Sequence, residues 1–372
     1  MKIHTIFGTR PEAIKMAPFI RELRKQKALE VKICVTSQHS TMLEQALALF
    51  NLVPDVDLKI MKPDQNLAQL TESALHGLYH FYQQERPDLV LVQGDTTTTF
   101  VAALAAFYHK IPVGHVEAGI RSYNKYFPWP EEVNRKLTTA IADLFFAPTA
   151  LTAQNLLNEG IDQKAVHITG NTIIDVLLDT KERIKERPLA EELNNRFSYL
   201  DPGKKLLLVT AHRRESFGKD FEDMCRALAE IAKAQDLQLI FPVHLNPNVQ
   251  GPVYDYLKGI KNVFLIAPQD YFSLVYLLER CYLVLTDSGG IQEEAPAFHK
   301  PLLVMRKITD RLEGLSAGVA KLVGTETKGI VDATRLMLES EDAYNQMTGI
   351  ANPYGDGKAA QRITEIIVKQ FG

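Results

Sequence analysis

The sequence predicts an α/β protein of two doubly wound parallel-sheet (Rossmann-like) domains around a central cleft. Three observations predict it: short, continuously apolar runs alternate with longer amphipathic stretches, the pattern restarts midway, and reactive residues follow apolar runs. Apolar runs that do not alternate belong to strands buried on both faces, which means parallel sheet covered by helices.

The elements follow in order. KIHTIF reads as a strand, the turn Gly8-Thr9-Arg10-Pro11 follows it, and a helix runs from about Glu12 to Lys27. VKICVTS is a strand and TMLEQALALF a helix, most simply a core one. Leu67 to Gln84 is helical, with YHFYQQ as one of its faces; DLVLVQG is a strand, TTTTFVAALAAFYHK a helix and IPVGHVEAG a strand. VHITGN and the helix IIDVLLDTKERIKERP lead into an aperiodic, charged stretch around Arg183 to Lys204. Beyond it lie KLLLVTAH, a helix through Phe221 to Lys233, LQLIFPVH, NVFLIAP, a helix near Ser273 to Glu279, YLVLTDSGG and PLLVM. Helices near Lys328 to Glu339 and Asp356 to Lys369 close the chain. The expected domains are 1–170 and 171–355, with a hinge near Gly170, and 356–372 as a helix packing back on the first domain. Ligands of such folds bind outside the carboxyl ends of the strands.

Composition narrows the function classes. A chain of 372 residues that is 46% hydrophobic and 23% charged can bury two cores. Forty-two basic against 45 acidic side chains leave a net charge of -3, so no global field attracts nucleic acid or anionic lipid. Three scattered cysteines, no apolar run of membrane length and no signal-like start predict a cytoplasmic, soluble protein. His76 and His80 stand four apart on a predicted helix, but nothing at matching spacing completes a metal site, so no metal is expected.

The informative clusters lie where strands end. FGTRPEAIK puts Arg10 and Lys15 at a strand-to-helix turn, where free N–H groups and the helix dipole favour an anion. In TDSGGIQEEAP, Asp287 and Ser288 precede Gly289 and Gly290, whose bare backbone admits a phosphate closely; Glu294 is placed for ribose hydroxyls. The segment is neither a Walker loop nor a dinucleotide fingerprint. Asp95, Glu117, Glu131 and His212, the last with Arg213 beside it, read as general acid/base groups from four strand ends. Taken singly they have bland alternatives: Asp95 and Glu131 as helix N-caps or first-turn acids, and the nearby His115 as a residue packed in a strand.

FGTRPEAIKMAP, QGDTTTTF, GHVEAGIRS, PWPEEVNR, TGNTIID, TAHRRE, FPVHLNPNV and TDSGGIQEEAP, in this order, resemble the non-hydrolysing UDP-N-acetylglucosamine 2-epimerase family, nearly end to end. The resemblance implies a fold similar to the phosphorylase-like (GT-B) glycosyltransferases, a homodimer, and no metal or NAD. It implies interconversion of UDP-GlcNAc and UDP-ManNAc through UDP elimination, a 2-acetamidoglucal and re-addition, supplying ManNAc for cell-surface polysaccharide. By position, Asp95, Glu117, Glu131 and His212 would be catalytic, with Arg135 in support. Arg10, Lys15, Arg213, Ser288, Gly289, Gly290 and Arg311 would hold the diphosphate, Glu294 the ribose, and His244 would line the nucleotide site. A second, activating nucleotide-sugar site would involve Gln38, His39 and Arg213.

Two segments depart from the family's pattern: QHSTML stands where QHREML is common, and TDRLEGLSAG where TERPEGVEAG is common. The first bears on activation, the second on the sugar accepted. The alternatives are a hydrolysing relative releasing free ManNAc, an epimerase of a modified UDP-sugar, a phosphorylase-like glycosyltransferase, and a non-catalytic nucleotide-sugar sensor. The surplus of carboxylates speaks against the last two.

Overall fold

The computed structural model describes residues 1–37, 40–62, 65–234 and 236–371. Gln38 and His39, expected at an activating site, lie outside them. The chain divides into two compact units, Met1–Val176 with Tyr354–Gly372, and Leu177–Pro353.

Unit 1 begins with β1 (Lys2–Phe7), α1 (Arg10–Arg24), β2 (Glu30–Val35), α2 (Ser40–Leu49), β3 (Val56–Asp57) and α3 (Leu67–Gln84). It continues through β4 (Leu89–Gln93), α4 (Thr97–Tyr108), β5 (Val113–Val116), α5 (Glu131–Ile141), β6 (Leu144–Ala147), α6 (Ala150–Asn158) and β7 (Val166–Ile168). Its sheet is parallel throughout, in the order β3-β2-β1-β4-β5-β6-β7. Every residue of β4 is buried, as continuous apolar runs require, and Ile6, Val90 and Val92 pack against Leu78, Val101 and Ala105 of α3 and α4.

The boundary between the units falls inside α7 (Thr172–Arg183), a few residues after Gly170. Unit 2 holds α8 (Leu189–Arg196), β8 (Lys205–Thr210), α9 (Lys219–Ile231), β9 (Leu237–Pro242), α10 (Pro247–Leu257), β10 (Val263–Ile266) and α11 (Tyr271–Arg280). There follow β11 (Leu283–Thr286), α12 (Gly289–Glu294), β12 (Leu302–Val304), α13 (Leu312–Ala317), β13 (Ala320–Leu322), α14 (Thr327–Glu339) and α15 (Glu341–Thr348). This second parallel sheet has the order β10-β9-β8-β11-β12-β13. The last helix, α16 (Ala359–Phe371), belongs to unit 1 and packs on α1. Buried Asp175 anchors it by accepting the N–H groups of Ala359 (3.2 Å) and Ala360 (2.9 Å) at its start.

Several elements escape the periodicity reading, among them α8, β6 and α6. The stretch around Arg183 to Lys204 contains α8, which buries Leu193 and shows charges on its other faces, so its apolar stripe is a single residue. β6 and α6 are short and follow one another closely, and their apolar residues do not separate into two periods. Among the described residues, no helix is long and apolar enough to cross a membrane.

Two histidines in the unit 1 sheet make stability pH-dependent. His4 and His115 are fully buried; His4 stacks on Phe81 (4.8 Å between ring centres) and His115 Nε2 donates to the Gly94 carbonyl (2.7 Å). Burial lowers each imidazole from 6.5 to about 4. Between those values the unfolded chain binds protons that the folded chain refuses, so stability falls as pH drops from 6.5 towards 4. For His115 the loss approaches about 3 kcal/mol. Urea unfolding of the wild type and of His4→Phe between pH 7.5 and 4.5 should show the wild-type midpoint falling more steeply, because the opposing contribution of buried Asp175, raised to about 6, is common to both; parallel profiles contradict it.

Candidate functional site

In each unit the strand order reverses direction at one point, β1 beside β4 in unit 1 and β8 beside β11 in unit 2. Neighbouring connections there leave the sheet on opposite faces and open a crevice at the carboxyl ends. The singled-out residues follow these four strands and their neighbours.

In unit 1, β1 ends at Gly8, where an added Cβ would lie 2.2 Å from Thr36 Oγ1 and 2.5 Å from Thr98 Oγ1. Only glycine lets the turn enter between these hydroxyls. Arg10 opens α1, half-buried, and meets no carboxylate among the described residues. Lys15 behaves differently, because its ammonium is paired with Glu117 Oε1 at 2.6 Å. The two cations expected to share an anion are thus unequal: Arg10 is available, whereas Lys15 is committed to a carboxylate.

Glu117 follows β5 with a left-handed φ of 65°, and its side chain is 5% exposed. It accepts from the Gln93 amide and, at 3.5 Å, from Asn171 Nδ2. A bulky residue held in that backbone region is strained and persists where surrounding contacts fix it, often in functional sites. Asp95, just past β4, pairs with the Arg135 guanidinium, and Asn134 Nδ2 donates to its carbonyl (3.0 Å). Arg135 reaches back to Glu132 Oε2 (3.2 Å), and Glu132 also accepts the N–H groups of Ser122 and Tyr123, at 3.0 Å each. One buried guanidinium therefore couples α5, the loop before it and the end of β4.

Glu131 corrects the expectation of four strand ends. It is the first residue of α5, separated from β5 by the loop 117–130, because PWPEE supplies a helix start. Its neighbour Glu132 is the buried member of the pair, and nothing in the local sequence distinguishes the two.

In unit 2, His212 and Arg213 follow β8, and both backbone N–H groups donate to Asp287 Oδ2, at 2.8 and 2.7 Å. Asp287 is fully buried and brings Oδ1 to 3.9 Å from His212 Nδ1. Burial pushes its carboxyl above the usual range, opposed by His212 and the two N–H donors. Burial also lowers the His212 imidazole, which Asp287 opposes. His244, after β9, stacks on His212 at 5.3 Å and accepts the Asn246 N–H on Nδ1 (3.1 Å).

Ser288 caps α12 without a side-chain cap bond. A Cβ on Gly289 would meet Arg213 Nη2 at 3.3 Å and Arg311 Nη2 at 3.7 Å, so two guanidinia converge on this glycine. Arg311 is fixed by Glu293 (2.6 Å) and Asp310 (2.7 Å), and Arg306 lies buried beside the group on Glu215 (3.1 Å). Burial and Arg213 lower the Arg306 guanidinium from its ordinary value. Glu294 is buried as the last residue of α12.

Unit 1 thus groups Arg10, Lys15, Asp95, Glu117, Glu131 and Arg135; unit 2 groups His212, Arg213, His244, Ser288, Gly289, Gly290, Glu294 and Arg311. The supporting residues Gln93, Glu132, Asn134, Asn171, Asp287 and Arg306 carry no site role in the sequence reading. Glu132 and Asn134 stand inside PWPEEVNR and Asp287 inside TDSGG, so the motifs marked the place but not the part played. Among the described residues, no group of three or more His, Cys, Asp or Glu could hold a metal ion.

Two Rossmann-like units with ionisable groups at their strand ends define an α/β protein of the GT-B-like class. A sequence model of the UDP-N-acetylglucosamine 2-epimerase family matches residues 21–368, and the chain belongs to that family. It is 54% identical to the Yersinia pestis UDP-N-acetylglucosamine 2-epimerase, over 99% of this chain and 98% of that one. Identity to the Escherichia coli K12 enzyme of that name is 52%, with the same coverage. The fold matches the crystal structure of the Neisseria meningitidis UDP-GlcNAc 2-epimerase bound to UDP-GlcNAc, at TM-score 0.96, 47% identity and full coverage of both chains.

Proposed function

We propose that this chain interconverts UDP-N-acetylglucosamine and UDP-N-acetylmannosamine without releasing free sugar. One observation carries the reading: two carboxylates at neighbouring strand ends are held by cations, Asp95 by Arg135 and Glu117 by Lys15. Relatives about half identical from end to end bear the name of this reaction.

The chemistry explains why such a set is needed. The hydrogen on C2 of the sugar is not next to a carbonyl, so direct deprotonation leaves an unstabilised carbanion. Breaking the C1–O bond first develops positive charge at C1 and acidifies the C2 hydrogen. The C2–H pair becomes the C1=C2 bond, the C1–O pair leaves with UDP, and a base takes the proton. Re-addition of UDP at C1, with a proton delivered to the opposite face of C2, gives the epimer. Every step is redox-neutral, so acid/base and phosphate-binding groups suffice.

Asp95, Glu117, Glu131 and His212 are assigned the proton transfers, with Arg135 and Asp287 positioning two of them. Arg10, Arg213, Arg311, Ser288, Gly289 and Gly290 are assigned to the departing diphosphate, Glu294 to the ribose and His244 to the nucleotide. Lys15 holds Glu117 in the free enzyme. The same reading includes domains 1–170 and 171–355 with 356–372 returning to the first, a cytoplasmic location and supply of ManNAc for surface polysaccharide. It also includes a homodimer: unit 1 exposes Tyr79, Phe107 and Tyr108 on α3 and α4, an apolar face suited to a second copy.

NMR of UDP-GlcNAc in D2O with the protein tests the reaction. UDP-ManNAc carrying deuterium at C2 is expected. Free ManNAc with UDP instead establishes the hydrolysing alternative, and an unchanged substrate overturns both.

A further inference from the structure

Glu12 is 1% exposed, yet its carboxylate gathers five donors. Oε2 accepts the N–H groups of Gly8 (3.0 Å) and Thr9 (2.8 Å) and the Thr9 hydroxyl (2.8 Å). Oε1 accepts the hydroxyls of Thr96 (2.7 Å) and Thr99 (3.1 Å), 84 and 87 residues away. The first set belongs to the turn that ends at Arg10, and the second to the start of α4, directly after Asp95.

Helix capping accounts for only half of this. A capping-box glutamate reaches back to the N-cap N–H, which Oε2 does at Thr9. Such glutamates are normally solvated and need nothing from another helix. Here the carboxylate is buried, which costs free energy, and Oε1 is given over to α4. Burial raises the carboxyl from its ordinary value, and the hydroxyl and N–H donors pull it back. The Thr99 hydroxyl also lies 2.7 Å from the Gln93 carbonyl, so its one hydrogen is shared and Thr96 is the principal donor to Oε1.

We propose that Glu12 is a positioning residue for epimerisation, locking the Arg10 turn and the Asp95 loop in one register across the β1–β4 boundary. Arg135 and Asn134 hold Asp95 from α5, and Glu12 holds its neighbour Thr96 from α1. The carboxylate that takes part in proton transfer is then fixed relative to the guanidinium that receives the diphosphate. This inference rests on the epimerase reading.

Thr96→Val is the discriminating variant, because it removes one hydroxyl isosterically and leaves the Oε2 bonds to Gly8 and Thr9 intact. The expected result is a kcat about tenfold or more lower, since small misplacements of reacting groups are costly. KM for UDP-GlcNAc and Kd for UDP should stay within about twofold, because uniform binding is untouched. Loss of the α4 cap should lower Tm by about 2–4 °C. Thr96→Ser, which keeps the hydroxyl, should recover most of kcat, whereas Glu12→Gln should lower kcat and UDP affinity together. Wild-type kcat in Thr96→Val overturns the inference, as does a Thr96→Ser loss equal to that of Thr96→Val. Folded wild-type protein that leaves UDP-GlcNAc untouched overturns the epimerase reading itself, and this inference with it.

Discussion

Asp95→Asn should lower turnover of UDP-GlcNAc by about a hundredfold or more, the scale of a lost general acid or base. UDP affinity should stay within about twofold of wild type, because the diphosphate is assigned to other side chains. The substitution preserves size and keeps one oxygen for the Arg135 guanidinium, which retains Glu132 at 3.2 Å. The backbone stays held by Asn134 on the Asp95 carbonyl and by Thr96 at the start of α4. Geometry therefore survives while proton transfer at this oxygen is lost. Steady-state kinetics with calorimetric titration of UDP separates the two effects. Equal losses in kcat and in UDP affinity would place Asp95 in binding and remove it from the chemistry.

Gly119→Ala should be among the most destabilising single substitutions in unit 1. Its φ is +89°, and an added Cβ would lie 2.1 Å from the Thr152 carbonyl oxygen, 2.8 Å from the carbonyl carbon and 3.0 Å from Leu156 Cγ. The first two contacts are with the backbone of α6, which cannot rotate away, and Asn155 binds the Gly119 carbonyl at 2.9 Å. Helix and loop must separate, at a cost of about 4 kcal/mol or more and a Tm about 10 °C lower. Gly160→Ala is the control: φ is +87° and an added Cβ meets nothing within 4 Å, so only backbone strain of about 1 kcal/mol remains. Similar losses at both positions would assign the effect to φ alone. Because Glu117 lies two residues before Gly119, partial accommodation should also cost turnover.

Much of the site was legible from local signals. The turn FGTRPE announces itself by glycine and proline between an apolar run and an amphipathic stretch, and TDSGG by two glycines after an apolar run. The four-residue spacing of His76 and His80 puts both on one face of α3, their rings 4.4 Å apart. Less legible were residues whose part depends on distant partners. Lys15 reads as a phosphate ligand in the sequence, and only the fold shows that its ammonium also meets Glu117, 102 residues on. Asp287 looks like the edge of a glycine turn until the backbone of His212 and Arg213 closes on it from 75 and 74 residues away. Glu131 and Glu132 are indistinguishable as letters, and only the packing of α5 buries the second.

The sequence by itself determined that the strands are parallel and buried on both faces, that reactive residues follow them, and that two such halves exist. Apolar periodicity and turn chemistry act over a few residues, and those properties need nothing longer in range. The tertiary structure alone decided which strand ends become neighbours. Placing β1 beside β4 and β8 beside β11 brings the Arg10 turn to the Asp95 loop and the His212 turn to the Asp287 loop. Strand order is set by hydrogen bonding and packing between segments far apart in the chain, and no local pattern records that choice.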